Sequence, residues 1–141
     1  MGIIQAFVPG IPQPQGSKAA FLRGKKVVMI ESNRNLPAWR KLVTEKLEAA
    51  NVSCIPLEGA VALDVMFFVP RPKSVTRQFP SVKPDLDKYI RSIGDSATDA
   101  GCLNDDGQIV EIVAYKCYAD AEQPAGALVT LSEFIGVSLD N

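Results

Sequence analysis

The sequence contains no histidine in its 141 residues. That absence excludes Ser-His-Asp and Cys-His triads, histidine general bases, and zinc or nuclease centres built on imidazole. Any chemistry must run on carboxylates, Lys, Arg, Tyr, Ser or Cys. Cysteine is sparse. Cys54, Cys102 and Cys117 form an odd set without C-x-x-C spacing. They read as reduced thiols in a cytoplasmic protein, not as a disulfide framework. No apolar run approaches the ~18 residues of a membrane-spanning helix, so no membrane partner is expected. The opening MGIIQAFVPGIP has no basic leader, and Ala6 breaks the myristoylation pattern. Phosphate-binding glycine loops are missing too. Gly16 to Gly24-Lys25-Lys26 has the wrong spacing and no Ser or Thr after the lysine. GxGxxG and GxSxG do not occur, so no nucleotide cofactor is expected. Asp99 to Asp106 is no calcium loop, because Gly101 and Leu103 stand where oxygen ligands are required.

What is present is an ordinary globular composition. Apolar residues make up 47% and charged residues 22%, enough for one core and one domain over 1–141. The net charge of -1 conceals a split. Residues 1–91 carry 14 Lys/Arg against 7 Asp/Glu, while 92–141 carry 1 against 9. A cationic track suits a polyanion, and a carboxylate cluster suits a metal. A fold that interleaves the two halves would cancel the split.

Hydrophobic periodicity predicts the elements. Residues 2–8 read as a strand, and the Pro/Gly/Gln-rich stretch from Pro9 to Ser17 as a loop. Phe21–Leu22 and Lys26–Ile30 flank Arg23-Gly24-Lys25 as a hairpin. Trp39, Leu42, Val43, Leu47 and Ala50 recur at helical spacing over 37–50, behind an Asn35-Leu36-Pro37 start. Residues 61–69 alternate as a strand that Pro70 ends. Residues 70–84 hold four prolines and four basic residues, a long basic loop of the kind that carries function. A helix over 86–99 turns Leu86, Tyr89, Ile90, Ile93 and Ala97 inward, and Gly101 suits its C-terminal cap. Gly94 should loosen it. Asn104-Asp105-Asp106-Gly107 is a turn, followed by strands at 108–118 and 126–134. The expected fold is α+β (mixed α/β): a single domain with a small mixed sheet and two main helices packed on it.

The polar residues that stand out are Lys83-Pro84-Asp85-Leu86-Asp87-Lys88-Tyr89-Ile90-Arg91, then Asp95, then Asn104-Asp105-Asp106-Gly107. Pro84 keeps Lys83 extended, so the helix starts near Asp85. Asp87, Arg91 and Asp95 lie four apart and form one stripe, away from the apolar face. Each feature has an ordinary explanation taken singly. Asp85 can be an N-cap, Asp87 a dipole partner and Arg91 a bridge between Asp87 and Asp95, while Asp-Asp-Gly is a common turn. Taken together, two acids two residues apart and a third on the following turn can converge on one hard cation. Mg²⁺ has the required oxygen preference, and metal-assisted hydrolysis is the natural chemistry without histidine. Arg91 or Lys88 would offset phosphate charge.

The run Asp85-Leu86-Asp87-Lys88, with Arg91 and Asp95, then Leu103-Asn104-Asp105-Asp106-Gly107-Gln108-Ile109-Val110, resembles the RusA-type Holliday junction resolvases. Val8 to Gly16 resembles the start of phage members more loosely. The resemblance implies a RusA-like, Mg²⁺-dependent endonuclease (Mn²⁺ as the alternative ion) that acts as a homodimer on four-way, branched DNA in recombination and repair. It implies Asp85, Asp87 and Asp106 as catalytic, metal-binding acids, with Arg91 where the family's best-known form has lysine. Arg keeps the charge but is no proton donor. Lys88 replaces the family's Asn, and Cys102-Leu103-Asn104 replaces an aromatic residue. Asp105 and Asp95 are secondary acids. Lys73, Arg77, Lys83, Lys88 and Lys18 are the expected DNA contacts. Three other readings stay open: a flap or single-strand nuclease without junction specificity, a non-catalytic DNA-structure binder, and an interaction protein whose acids are caps and turns.

Overall fold

The computed structural model describes residues 2–16, 18–31 and 33–136, with the side chains of 18–21 and 28–31 left aside. Its strands are β1 (Ile3–Pro9), β2 (Lys18–Arg23), β3 (Lys26–Glu31), β4 (Val61–Val69), β5 (Ile109–Tyr118) and β6 (Gly126–Glu133). The helices are α1 (Leu36–Ala50) and α2 (Leu86–Asp99), with a 3-10 turn at Asp106–Gln108. β2 and β3 form the expected hairpin around Gly24-Lys25, closed by Arg23 opposite Lys26. The other four strands form one sheet in the order β1-β6-β4-β5. β6 runs antiparallel to both neighbours, and β4 and β5 are parallel. This is a small single-domain α+β fold with a mixed sheet. No helix among the described residues is long and apolar enough to cross a membrane.

The period-2 pattern of β4 sets the buried face. Leu63, Val65 and Phe67 stand opposite Leu131, Val129 and Ala127 of β6. Those in turn stand opposite Ile4, Ala6 and Val8 of β1. Both helices cover this face. α1 buries Trp39, Val43 and Leu47, and α2 buries Tyr89, Ile93 and Ala97. Phe67 and Tyr89 stack with ring centroids 5.2 Å apart. α2 also buries Ser92 and Ser96, which the apolar pattern does not place inward. Their hydroxyls donate to the helix carbonyls of Tyr89 and Ser92, at 2.8 and 2.7 Å. Satisfied in this way, they can be buried where α1 approaches closely. Trp39 Nε1 donates to Ser92 Oγ across the helix pair at 3.3 Å.

α2 ends as Gly101 predicts. That residue has φ +74, Gly101 N donates to Thr98 O, and Cys102 N donates to Ala97 O. Gly94 does not interrupt the helix. The start of α2 lies past the carboxyl ends of the parallel pair, since Val69 of β4 stands opposite Tyr118 of β5. Sheets with parallel strands place ligand sites at that edge.

Candidate active site

The 70–84 loop has a defined path. Arg71 donates to the carbonyls of Arg77 at 2.8 Å and Gln78 at 3.3 Å, folding the loop on itself. Its guanidinium also lies 4.3 Å from the centroid of the Tyr118 ring. Lys116 of β5 donates to Val82 O at 2.6 Å and Pro84 O at 2.7 Å. These bonds fasten the loop to β5 just before Asp85. Lys73, Arg77 and Lys83 are exposed along it. Lys83 and Lys88 flank Asp85 in one hollow, while Arg77 and Lys83 line a neighbouring one with Tyr89, Lys116 and Tyr118. Lys18 begins β2, and its side chain falls outside the described residues.

Asp85 is the N-cap residue of α2, yet its carboxylate accepts no capping hydrogen bond. Asp87 follows in the first turn, exposed like Asp85. Neither has an ion-pair or hydrogen-bond partner among the described residues. The expected Arg91 bridge does not form either. The ion pairs among the described residues are Arg40–Asp99 at 2.8 Å and Lys41–Glu45 at 3.9 Å. Asp95 instead accepts a hydrogen bond from Gln15 Nε2, 80 positions away in sequence.

The acidic turn divides its two aspartates. Asp105 accepts from Gly107 N at 2.8 Å and caps the 3-10 turn. Gln108 Oε1 accepts from Asp105 N and Asn104 N, while its Nε2 donates to Leu57 O and Gly59 O. Gln108 therefore straps the turn to the segment that leads into β4. Asp106 is left exposed, without a partner among the described residues. It lines a cleft with Gln15, Arg91, Gly94 and Asp95.

The structure does not bring Asp85, Asp87 and Asp106 together as one group. Among the described residues no three His, Cys, Asp or Glu side chains lie close enough to hold a metal ion. The cause is the path of the chain. α2 carries Asp85 and Asp87 at its start, but the turn docks beside Gly94, where a Cβ would lie 4.0 Å from Asp106 Cβ. Seven helical residues from Asp87 to Gly94 rise about 10 Å. The donor chemistry still suits a hard cation, being all oxygen and unencumbered.

The thiols stand apart from this site. Burial, with Glu48 adding to it, pushes the Cys102 thiol up to about 11. Burial and Asp120 also raise Cys117. Both shifts favour the protonated thiol over the thiolate. Sequence reasoning missed Gln15, Arg71, Gln108 and Lys116. Gln108 left a signal, standing in the quoted acidic motif at capping-box spacing from Asp105, and so did Lys116, as the one Lys or Arg beyond residue 91.

The family model for endodeoxyribonuclease RusA matches residues 9–129. An uncharacterised protein of Bacillus subtilis (strain 168), YqaN, is 26% identical over 134 residues, spanning 85% of this chain and 91% of that protein. The family match takes in the Gln15 connector, all of α2 and the Asp105-Asp106 turn. The chain therefore belongs to the RusA endodeoxyribonuclease family, hydrolases that act on DNA.

Proposed function

We propose that the protein is a divalent-metal-dependent endonuclease that resolves four-way DNA junctions as a homodimer in recombination and repair. One observation carries the reading. Asp85, Asp87 and Asp106 are exposed carboxylates with no structural partner among the described residues, set along α2 with an unpaired Arg91 between them. A capping hydrogen bond accounts for Asp105 but not for these three.

Mg²⁺ keeps several waters and commonly takes one or two carboxylates plus substrate phosphates, which fits acids spread along a helix. Asp85 and Asp87 would hold it, with Asp106, about 10 Å further along the helix, as an additional acid of the site. When bound, Mg²⁺, or Mn²⁺ in its place, supplies Lewis acidity toward a phosphate oxygen and a more acidic water. The remaining work falls to the chain itself. Lys73, Arg77, Lys83 and Lys88 hold backbone phosphates, with Lys18 as a further contact. Arg91 faces the charge that builds on the phosphate, for which its planar fork is suited. Asp105 shapes the turn that presents Asp106, and Asp95 anchors Gln15. Two such sites related by a two-fold axis would cut opposing strands of a symmetric junction.

The test is cleavage of a labelled four-way junction, with flap and linear duplex controls, in Mg²⁺ and in EDTA. Paired nicks near the crossover are expected, requiring Mg²⁺. Asp87→Asn should slow them at least ~100-fold, the loss of several kcal/mol of charge stabilisation. Equal cutting of flaps would remove junction specificity from the reading. Binding without cleavage in every condition would replace it with a DNA-structure binder.

A further inference from the structure

Arg91 lies four residues from both Asp87 and Asp95, a spacing that by itself favours ion pairs along the helix. Neither pair forms, and for Asp95 the connector between β1 and β2 supplies a reason. Gln15 Nε2 donates a short hydrogen bond to Asp95 Oδ2. Gln15 N donates to Lys88 O at 2.9 Å. The connector is thus tied to α2 about one turn before Arg91 and one turn after it. The next residue, Gly16, has φ +128, where side-chain-bearing residues are strained. A Cβ at Gly16 would lie 2.7 Å from Arg91 Nη1. The peptide therefore passes directly against the guanidinium. Gln15 Oε1 is buried without a partner among the described residues. The amide is turned to serve Asp95 at the expense of its own acceptor.

We propose that Gln15 is a positioning residue for Arg91. By engaging Asp95 with a neutral donor, and by laying Gly16 against the guanidinium, it keeps Arg91 unpaired and available to a DNA phosphate. Without Gln15, Asp95 competes with the phosphate for Arg91. The inference rests on the phosphate role given to Arg91 above. A bond that merely anchored the connector would stabilise the fold, and removing Asp95 would not compensate for its loss.

That difference sets the experiment. Gln15→Met keeps the length of the side chain without its amide, and Gln15→Ala provides a second variant. Each is compared with the double variant carrying Asp95→Ala and with Arg91→Ala. Three quantities are read: the Arg91 Nε–Hε resonance without DNA, metal-free binding to a four-way junction across salt concentrations, and the rate of cutting. In the single Gln15 variants the resonance should shift. The salt slope should fall by about 0.9, the equivalent of one phosphate contact, as in Arg91→Ala. Cutting should slow about tenfold, a fraction of the ~100-fold expected when a transition-state donor is lost outright. The double variant should recover all three. An unmoved resonance with a wild-type salt slope in the single variants overturns the inference. So does a double variant as impaired as the singles. If the wild-type protein neither binds nor cuts branched DNA, the proposed function fails, while the resonance comparison still decides whether Gln15 holds Asp95 away from Arg91.

Discussion

Glycine in mid-helix ordinarily costs about 1 kcal/mol relative to alanine. Gly94 is such a residue, and the 3-10 turn docks against it. A Cβ there would stand 3.9 Å from Ile109 Cδ1 and 4.0 Å from Asp106 Cβ, which are ordinary contact distances. Gly94→Ala should therefore raise the unfolding free energy by about 0.5–1 kcal/mol, read from urea denaturation. Gly94→Leu adds atoms that the turn must make way for. It should displace Asp106 and slow cleavage while leaving a folded protein by circular dichroism. At this scale the site was partly legible in the sequence. Pro84 places Asp85 at the mouth of α2, and the structure puts it there. That its carboxylate makes no capping bond was not legible, because the choice between capping and freedom is made by local geometry. Nor was the tie between Gln15 and Asp95, since a polar contact across 80 positions leaves no periodicity.

Elements with a strong period were read closely. The structure gives β4 as Val61–Val69 and α2 as Leu86–Asp99, both at the expected bounds. The 3-10 turn was read only as a turn. Its Asp105 and Gln108 are spaced as a capping box, a pattern that three-residue elements show without any hydrophobic period. The 70–84 loop was recognised by its composition, but its path depends on Arg71 and Lys116 and could not be read from local sequence. Lys116 therefore offers a test of the loop as an element. Lys116→Met keeps the stem over the sheet and removes the two bonds to Val82 O and Pro84 O. Hydrogen bonds from a charged donor contribute about 1.5–3 kcal/mol, and thermal unfolding should register a loss of that order. Amide exchange should speed up over residues 78–85 and stay protected in β4. Unchanged exchange there would mean that the loop holds itself through Arg71 alone.

For the whole molecule, the charge split read from composition survives in part as a gradient along α2. The helix leaves the basic loop and ends toward Asp99 and the Asp105-Asp106 turn. Among the described residues one ion pair, Arg40–Asp99, joins the two halves at 2.8 Å. The convergence of acids on a single point did not follow, because the turn docks midway along the helix. Assembly belongs to this scale as well. β5 is an edge strand with Val110, Ile112, Val113 and Tyr115 exposed, and a second copy pairing there by two-fold symmetry would cover them. Sedimentation should show a dimer. Val113→Lys should weaken it at least tenfold, about 1.4 kcal/mol, and turn paired nicks into single ones. A wild-type monomer, or a dimer indifferent to Val113→Lys, would move the interface elsewhere.

The order of strands in the sheet also fixes a schedule for synthesis. β1 has one sheet partner, β6, and Ile3 stands opposite Ser132. A chain leaving the ribosome makes β1 first and β6 last, and β6 is the strand that joins β1 to β4. Until then β4 and β5 can pair through the α2 crossover and α1 can cover β1, but the backbone edge of the first strand must wait for its sheet partner. Contacts of such long sequence separation slow folding and lengthen exposure to aggregation. The nuclease fold should therefore close only once β6 has left the ribosome.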